Sequence, residues 1–521
     1  MSWHLYFLNT NFFNEWNLRM HKTISYINQT LPRNAGIPVL FLLCCVLANA
    51  FVYAKDDVCS AVEKQVNSSA LKHAQWSVYA EYADTGKEII AYDSDKSLAP
   101  ASNLKVITTG IALIVLGEKF QFATSLYYDG KISDTGTLQG NLYIKGGGDP
   151  TLGSEKVKGS PGLDNLMQQW INAVKKKGIL QIEGNIVADV SLFDEQSVPD
   201  FWPWSDTGNY FAAGTSALCL HDNLYYLYFK PGRRVGDKAE VIRTKPAVPD
   251  LVFVNHMRTG KPGSGDNGFI YCAPKQFTAT LRGTIPAGVK EFAIKGSIPD
   301  PPLFAAHYLM ESLVKEGIKV YGSAVVTHDR QELHEENRIF TTLSPVLSDI
   351  ITTTNKESVN LYAEQLLKMI AVRETGIGSI KDGVSTIEAV MKSLGINMEG
   401  FSIFDGCGLS RNNLATTRIM GTFLSAMTRE KCFDAFYHSL SLAGDAKDIG
   451  YVKQFGIGTP VALNARIKTG YINGVRAHSG YIRLRSGKLV SFSLICNNFS
   501  SPLSVIDKIH ESVLVQLAKL P

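Results

Sequence analysis

Three short motifs stand in one order along the chain: Ser102-Asn-Leu-Lys105, Ser358-Val-Asn360 and Lys468-Thr469-Gly470. To act together they must meet, so the fold has to close the long stretches 106–357 and 361–467 back onto one place. Each motif alone is common. Ser-x-x-Lys recurs at Ser69/Lys72 and Ser312/Lys315, and Ser-x-Asn recurs at Ser410/Asn412, whereas Lys-Thr-Gly occurs once. Taken as a set they hold what an acyl-transferring serine needs without histidine or metal: a hydroxyl, an amine to take its proton, and a second cation.

Ser102 and Lys105 are three apart at the head of an apolar run, VITTGIALIVLG, so on a helix their side chains share a face. Lysine is a base only when neutral, and holding it so at pH 7 costs about 4–5 kcal/mol against its reference value. Burial and a neighbouring cation lower that value, and Lys468 is the candidate cation. The Ser102 N–H, in the first helical turn, points where an oxyanion would develop. On a free surface Ser102 would be a helix cap and Lys105 a solvated charge, the reading that suits the two other Ser-x-x-Lys pairs. The buried run after Ser102 sets it apart. Ser358 and Asn360 can present a proton relay and an amide clamp, or Ser358 can cap a helix over 361–371. Lys468 and Thr469 fall in a strand ahead of an Asn473-Gly474 hairpin turn and can bind a terminal carboxylate. Gly470 admits substrate close to the backbone, and the Tyr471 N–H completes an oxyanion hole. The plain alternative is a solvated edge-strand lysine.

The 521 residues suggest two or three domains. Strand-like text from Gln75 leads into the Ser102 helix, which Gly117 closes. From about 127 to 338 the character changes to short Val/Ile/Tyr/Phe runs between Gly- and Pro-rich turns, with short helices only at 162–177 and 304–316. This 128–338 stretch reads as a mostly β insertion of one or two subdomains within a body formed by 55–127 and 339–521. The final helix carries an apolar stripe at Val505, Ile509, Val513 and Leu517, expected to pack on a sheet; with cations sparse, a membrane anchor is the lesser reading. Net charge is only +4 and no basic block appears, so nucleic-acid binding is not indicated. No cofactor or metal is called for. Peripheral membrane association and homo-oligomer formation stay open.

Residues 37–54, IPVLFLLCCVLANAFVYA, are uncharged, end in small residues and follow Arg33, the pattern of a secretory signal cleaved after Ala50 or Ala54. Met20 gives a sensible start for it. An uncleaved anchor is the rival. Export would place the chain in an oxidising compartment. Six cysteines follow the signal (Cys59, Cys219, Cys272, Cys407, Cys432 and Cys496) with no C-x-x-C pair, so zinc is disfavoured. Cys219–Cys272 is the one disulfide candidate; buried free thiols are the alternative.

The stretches PASNLKVITTGIALIVLG (100–117), GGGDPTL (146–152), TTTNKESVNLYAEQLLK (352–368), FDGCGLSRNNL (404–414) and ARIKTGYINGVRAHSGYI (465–482) carry a resemblance. The chain resembles the penicillin-binding D-alanyl-D-alanine carboxypeptidase/endopeptidase (DacB-like) family, whose members carry a large insertion between the first two motifs. The resemblance implies an α/β, multidomain fold: a β-lactamase-like peptidase domain of helices on an antiparallel sheet, with a mostly β insertion. It implies an exported, periplasmic enzyme acting on peptidoglycan stem peptides and covalently inhibited by β-lactams. It implies Ser102 as nucleophile, Lys105 as base, Ser358 and Asn360 as relay and clamp, and Lys468 and Thr469 as carboxylate binders. It suggests that Asp149 reads the peptide side chain. One departure stands at Cys407, where the family usually has serine. A structural thiol is the expected role there, rather than a second nucleophile.

Two rivals remain. A serine β-lactamase of class A needs a glutamate to activate water, and no Glu-x-x-Leu-Asn segment lies between Ser358 and Lys468. A non-catalytic wall-binding protein would have no need of the intact Ser/Lys pair.

Overall fold

The computed structural model describes residues 58–521. The signal segment expected over 37–54 lies outside them. Among the described residues no helix is long and apolar enough to cross a membrane.

The organising element is a six-stranded sheet, antiparallel throughout, in the order Ser441–Leu442, Arg466–Ile472, Val475–Arg483, Leu489–Asn497, Gln75–Tyr82, Glu88–Tyr92. Its two ends come from opposite ends of the chain, because Gln75–Tyr82 pairs along its whole length with Leu489–Asn497. The strands Gln75–Tyr82, Val475–Arg483 and Leu489–Asn497 are buried on both faces, their small polar residues Ser77, Ser479, Ser491 and Ser493 included. One face carries the helices Lys105–Leu116, Leu347–Lys356, Asn360–Thr375 and Thr417–Met427, whose apolar sides form one core with Tyr481. The other carries the C-terminal helix Leu503–Lys519, with Ile509, Val513 and Leu517 buried against the sheet together with Val58 and Val62. The expected packing role of that helix is therefore met.

The chain between holds four further sheets. A five-stranded mixed sheet runs Ala324–Thr327, Ile186–Asp189, Leu142–Lys145, Ala123–Tyr128, Arg338–Leu343. A small four-stranded sheet lies nearby in sequence, and two more sheets, of three and four strands, are built between Leu224 and Ser297. The helices Leu163–Lys176 and Pro301–Lys315 sit in a core of their own with these sheets. The strands Ala123–Tyr128 and Arg338–Leu343 pair antiparallel with each other.

The disulfide candidate is corrected. Cys219 and Cys272 are both free thiols. Cys219 is buried where Asn223 Nδ2 and Gln365 Nε2 donate to its sulfur at 3.0 and 2.8 Å, while the Cys272 thiol donates to the Gln276 carbonyl at 3.2 Å. Each sulfur is satisfied locally by polar partners of its own.

Candidate active site

The Ser102 hydroxyl stands on a single 3-10 turn, Ala101–Leu104, that feeds the helix Lys105–Leu116; Gly117 closes that helix as expected. Ala101 holds φ +46°. That left-handed backbone is uncommon for a residue with a side chain, and it turns the chain sharply just ahead of Ser102. Gly408, from the loop 404–414, packs on this corner so tightly that a Cβ there would overlap the Ala101 carbonyl.

Lys105 is fully buried, and its Nζ has three partners: Ser102 Oγ at 3.1 Å, Asn360 Oδ1 at 2.6 Å and the Cys407 carbonyl at 2.8 Å. Two of these, an amide oxygen and a peptide oxygen, can only accept. A neutral amine has two hydrogens and one lone pair. With both hydrogens committed to Asn360 and Cys407, the lone pair faces the Ser102 hydroxyl. The Asn360 amide cannot swap ends, because its Nδ2 donates to the Phe211 carbonyl at 2.7 Å. Burial pulls the Lys105 pKa down from the ordinary lysine value, partly offset by the acidic groups of Cys407, Asp405 and Glu364. The cation expected to depress it, Lys468, is itself the more strongly shifted: its pKa falls well below the usual value through burial first, then Lys105 and Arg476.

Lys468 donates to Ser358 Oγ at 3.0 Å and to the Thr469 carbonyl at 2.7 Å. It is buried, so the solvated edge-strand reading falls. Ser358 does not cap the following helix. That helix runs Asn360–Thr375 with Val359 at its cap position and no side-chain cap, and Ser358, at φ +58°, turns its hydroxyl to Lys468 instead. The strand Arg466–Ile472 passes beside the Ser102 turn and returns through Asn473-Gly474, a two-residue hairpin as expected. The three motifs thus meet, with Ser102, Ser358 and Asn360 half-buried at a cleft and both lysines beneath them.

Asp149 is not brought to this cluster. Its carboxylate is buried and accepts both the N–H and the hydroxyl of Thr151 at 2.7 Å, and burial raises its pKa to about 6. The other Ser-x-x-Lys pairs lie on outer surfaces: Ser312 bonds back to the Tyr308 carbonyl of its own helix, and Lys72 and Lys315 are exposed.

Several residues at the site carry no motif. Phe211 and Trp202 reach it from the long β-rich stretch, and Trp202 Nε1 donates to Asp405 Oδ2 at 2.9 Å. Asp405 also accepts from the N–H groups of Gly408 and Ser410 at 2.7 Å and from Asn413 Nδ2 at 2.8 Å. Cys407 is fully buried and its thiol pKa is raised well above the ordinary value, by burial first, so it is no second nucleophile. Glu364, Asp405 and Cys407 are the one acidic cluster with the spacing of a metal site among the described residues, but four hydrogen bonds fill the lone-pair positions of Asp405.

Residues 58–518 match the model of the D-Ala-D-Ala carboxypeptidase 3 (S13) family. The chain belongs to that family. It is 28% identical over 468 residues to a D-alanyl-D-alanine carboxypeptidase of Actinomadura sp., covering 88% of this chain and 84% of the relative. It is 26% identical over 424 residues to the D-alanyl-D-alanine carboxypeptidase DacB of Haemophilus influenzae, covering 80% and 84%. The crystal structure of penicillin binding protein 4 (dacB) from Haemophilus influenzae superposes with a TM-score of 0.76 at 23% identity, over 89% of this S13 chain and 99% of that one. The expected fold, helices on an antiparallel sheet with a β-rich addition, is the one found.

Proposed function

We propose that this S13 peptidase removes the terminal D-Ala from peptidoglycan stem peptides through an acyl-enzyme on Ser102. The observation that carries the reading is the Lys105 amine, whose two obligate acceptors leave its lone pair to the Ser102 hydroxyl. Ser102 Oγ attacks the carbonyl before the terminal residue while its proton passes to Lys105 Nζ. The N–H groups of Ser102 and Tyr471 receive the oxyanion. The peptide C–N bond then breaks, and the departing amine takes a proton delivered through Ser358 from the lysine pair. Water attacks the ester, returning Ser102 and releasing the shortened peptide.

Lys468 and Thr469 hold the terminal carboxylate, and Gly470 lets the substrate backbone lie along the strand. Cleavage of D-Ala–diaminopimelate cross-links follows from the same chemistry with a larger leaving amine. The reading places the enzyme outside the cytoplasm, in the periplasm, with penicillins acylating Ser102. A structure of the Haemophilus influenzae protein complexed with a β-lactam supports that last point by kinship. The stretch 128–338 is taken as an insertion that buttresses the cleft through Trp202 and Phe211.

Digestion of purified muropeptides, with products read by mass, tests the reaction. Loss of one alanine from a pentapeptide stem is expected, and Ser102→Ala abolishes both that loss and covalent uptake of labelled penicillin. Label retained by Ser102→Ala would overturn the assignment.

A further inference from the structure

Glu364 lies one helical turn beyond Asn360 on the same face of the helix Asn360–Thr375. Asn360 touches Lys105 directly, whereas Glu364 reaches it through backbone. Glu364 Oε1 accepts the N–H of Gly406 at 2.9 Å and of Cys407 at 2.7 Å. The peptide joining Gly406 to Cys407 is held at its other end by Thr108, whose hydroxyl donates to the Gly406 carbonyl at 2.7 Å. The next peptide is clamped the same way: Asp405 Oδ1 takes the Gly408 N–H, and the Cys407 carbonyl takes Lys105 Nζ at 2.8 Å. Two carboxylates thus fix the short backbone run that supplies one of the base's two acceptors.

The second oxygen of Glu364 is less well served. Oε2 is buried, in a residue that is 1% exposed, and the group beside it is the Cys407 thiol, a weak donor. We propose that Glu364 is a positioning residue for the base, holding the Gly406–Cys407–Gly408 backbone against Lys105 and, by its own charge, setting how readily Lys105 gives up its proton. This rests on the reading of Lys105 as the base for Ser102.

The groups facing Glu364 are Lys105 from its helix, Asp405 and Cys407 from the loop, and Lys368 one turn along its own helix, which ion-pairs with Asp194 at 2.6 Å. Burial, then the Asp405 charge, pushes the Glu364 pKa up to about 8. Below that pH Glu364 keeps its proton and Lys105 can be neutral. Above it, the new negative charge strengthens Lys105's hold on its own proton and delays full activity.

The test is the rate of Ser102 acylation by a chromogenic β-lactam, followed against pH. Glu364→Gln keeps an oxygen for both N–H groups and removes the charge that appears near pH 8, so the upper part of the acid limb should reach its plateau at lower pH, by about half a unit or more. Cys407→Ser replaces the weak thiol donor beside Glu364 with a stronger hydroxyl donor, favours ionised Glu364, and should move the limb to higher pH. A loss of packing alone would lower the rate without moving the limb. Acylation with both limbs unmoved, in variants that melt like the wild type, would overturn the proposal; if Glu364→Gln does not fold, Cys407→Ser alone decides. Wild type that takes up no label would instead sink the catalytic reading, and this one with it.

Discussion

Gly470 faces the Pro100 carbonyl so closely that a methyl group added to it would meet that oxygen at 2.7 Å and the Asn103 nitrogen at 3.1 Å. The strand carrying Lys468 and the turn carrying Ser102 are therefore spaced by the absence of a side chain. Asn103 Nδ2, donating to Ser479 Oγ at 2.7 Å, ties the same turn to the neighbouring strand. Gly470→Ala should push turn and strand apart and slow acylation by about 10–100-fold. Its stability should fall by only about 1–3 kcal/mol. Stopped-flow acylation beside a thermal melt checks both, and an unchanged rate would mean that the spacing is not critical.

Lys105 titrates below the ordinary lysine range because burial disfavours its charge. A base that must be neutral works above its pKa and fails as pH falls through it, so the acylation rate should drop on the acid side. Lys105→Met, which keeps the bulk and removes the amine, should lose about 10²–10⁴-fold and abolish that acid limb. A rate profile against pH for both proteins decides. An acid limb that survives in Lys105→Met would assign it to another group.

The motif residues were legible because their chemistry is written in residue type: a serine and lysine three apart, a single Lys-Thr-Gly, an Asn-Gly turn after it. The supports were not. Phe211 acts through a backbone carbonyl, which has no residue signature, and it arrives only when the long β-rich stretch folds back. Trp202 reads as any core aromatic until its indole N–H is seen on Asp405. Glu364 left a trace, a lone acid inside NLYAEQLL, four residues after Asn360, where the surrounding helix is buried. Asp149 was singled out by its stretch alone; its carboxylate is held by Thr151 within its own turn, a pairing that residue type does not announce. Ser358 fitted both a relay and a helix cap, because residue type does not separate the two; its hydroxyl meets Lys468 Nζ and leaves the helix end uncapped.

Asn360→Asp is nearly isosteric, yet it should be severe. A carboxylate oxygen would face the Phe211 carbonyl where Nδ2 now donates, and the other would lie against Lys105 Nζ. That charge favours protonated lysine and raises its pKa, moving the acid limb to higher pH and cutting the rate at neutral pH by about 10-fold or more. A profile that keeps the wild-type limb would show that the amide's orientation does not govern the base.

Trp202→Phe should report on the link between the β-rich stretch and the site. It removes one of the four donors to buried Asp405 and leaves that oxygen short of a partner, at a cost of about 1–3 kcal/mol in stability. Because Asp405 also anchors the loop against Lys105, acylation should slow as well. Urea melts and acylation rates measured together separate the two effects. A variant as stable and as fast as wild type would show that the indole N–H is dispensable.

A last consequence lies where the sheet meets the C-terminal helix. His478 and His510 face each other at 2.8 Å between Nδ1 atoms, both buried, with Arg476 beside them paired to Asp507. Burial, reinforced by the Arg476 charge, pushes His510 down to about 3, and His478 also falls well below the ordinary value. In the unfolded chain both imidazoles take protons near pH 6.5. The folded state refuses those protons, so stability is full above about pH 6.5 and is lost as pH falls. The slope from the pair should be roughly 2–3 kcal/mol per pH unit. Urea melts between pH 7 and 5 measure it. The double substitution His478→Asn, His510→Asn should flatten that part of the curve, because an amide does not titrate there; a slope that survives it would place the acid sensitivity on the carboxylates instead.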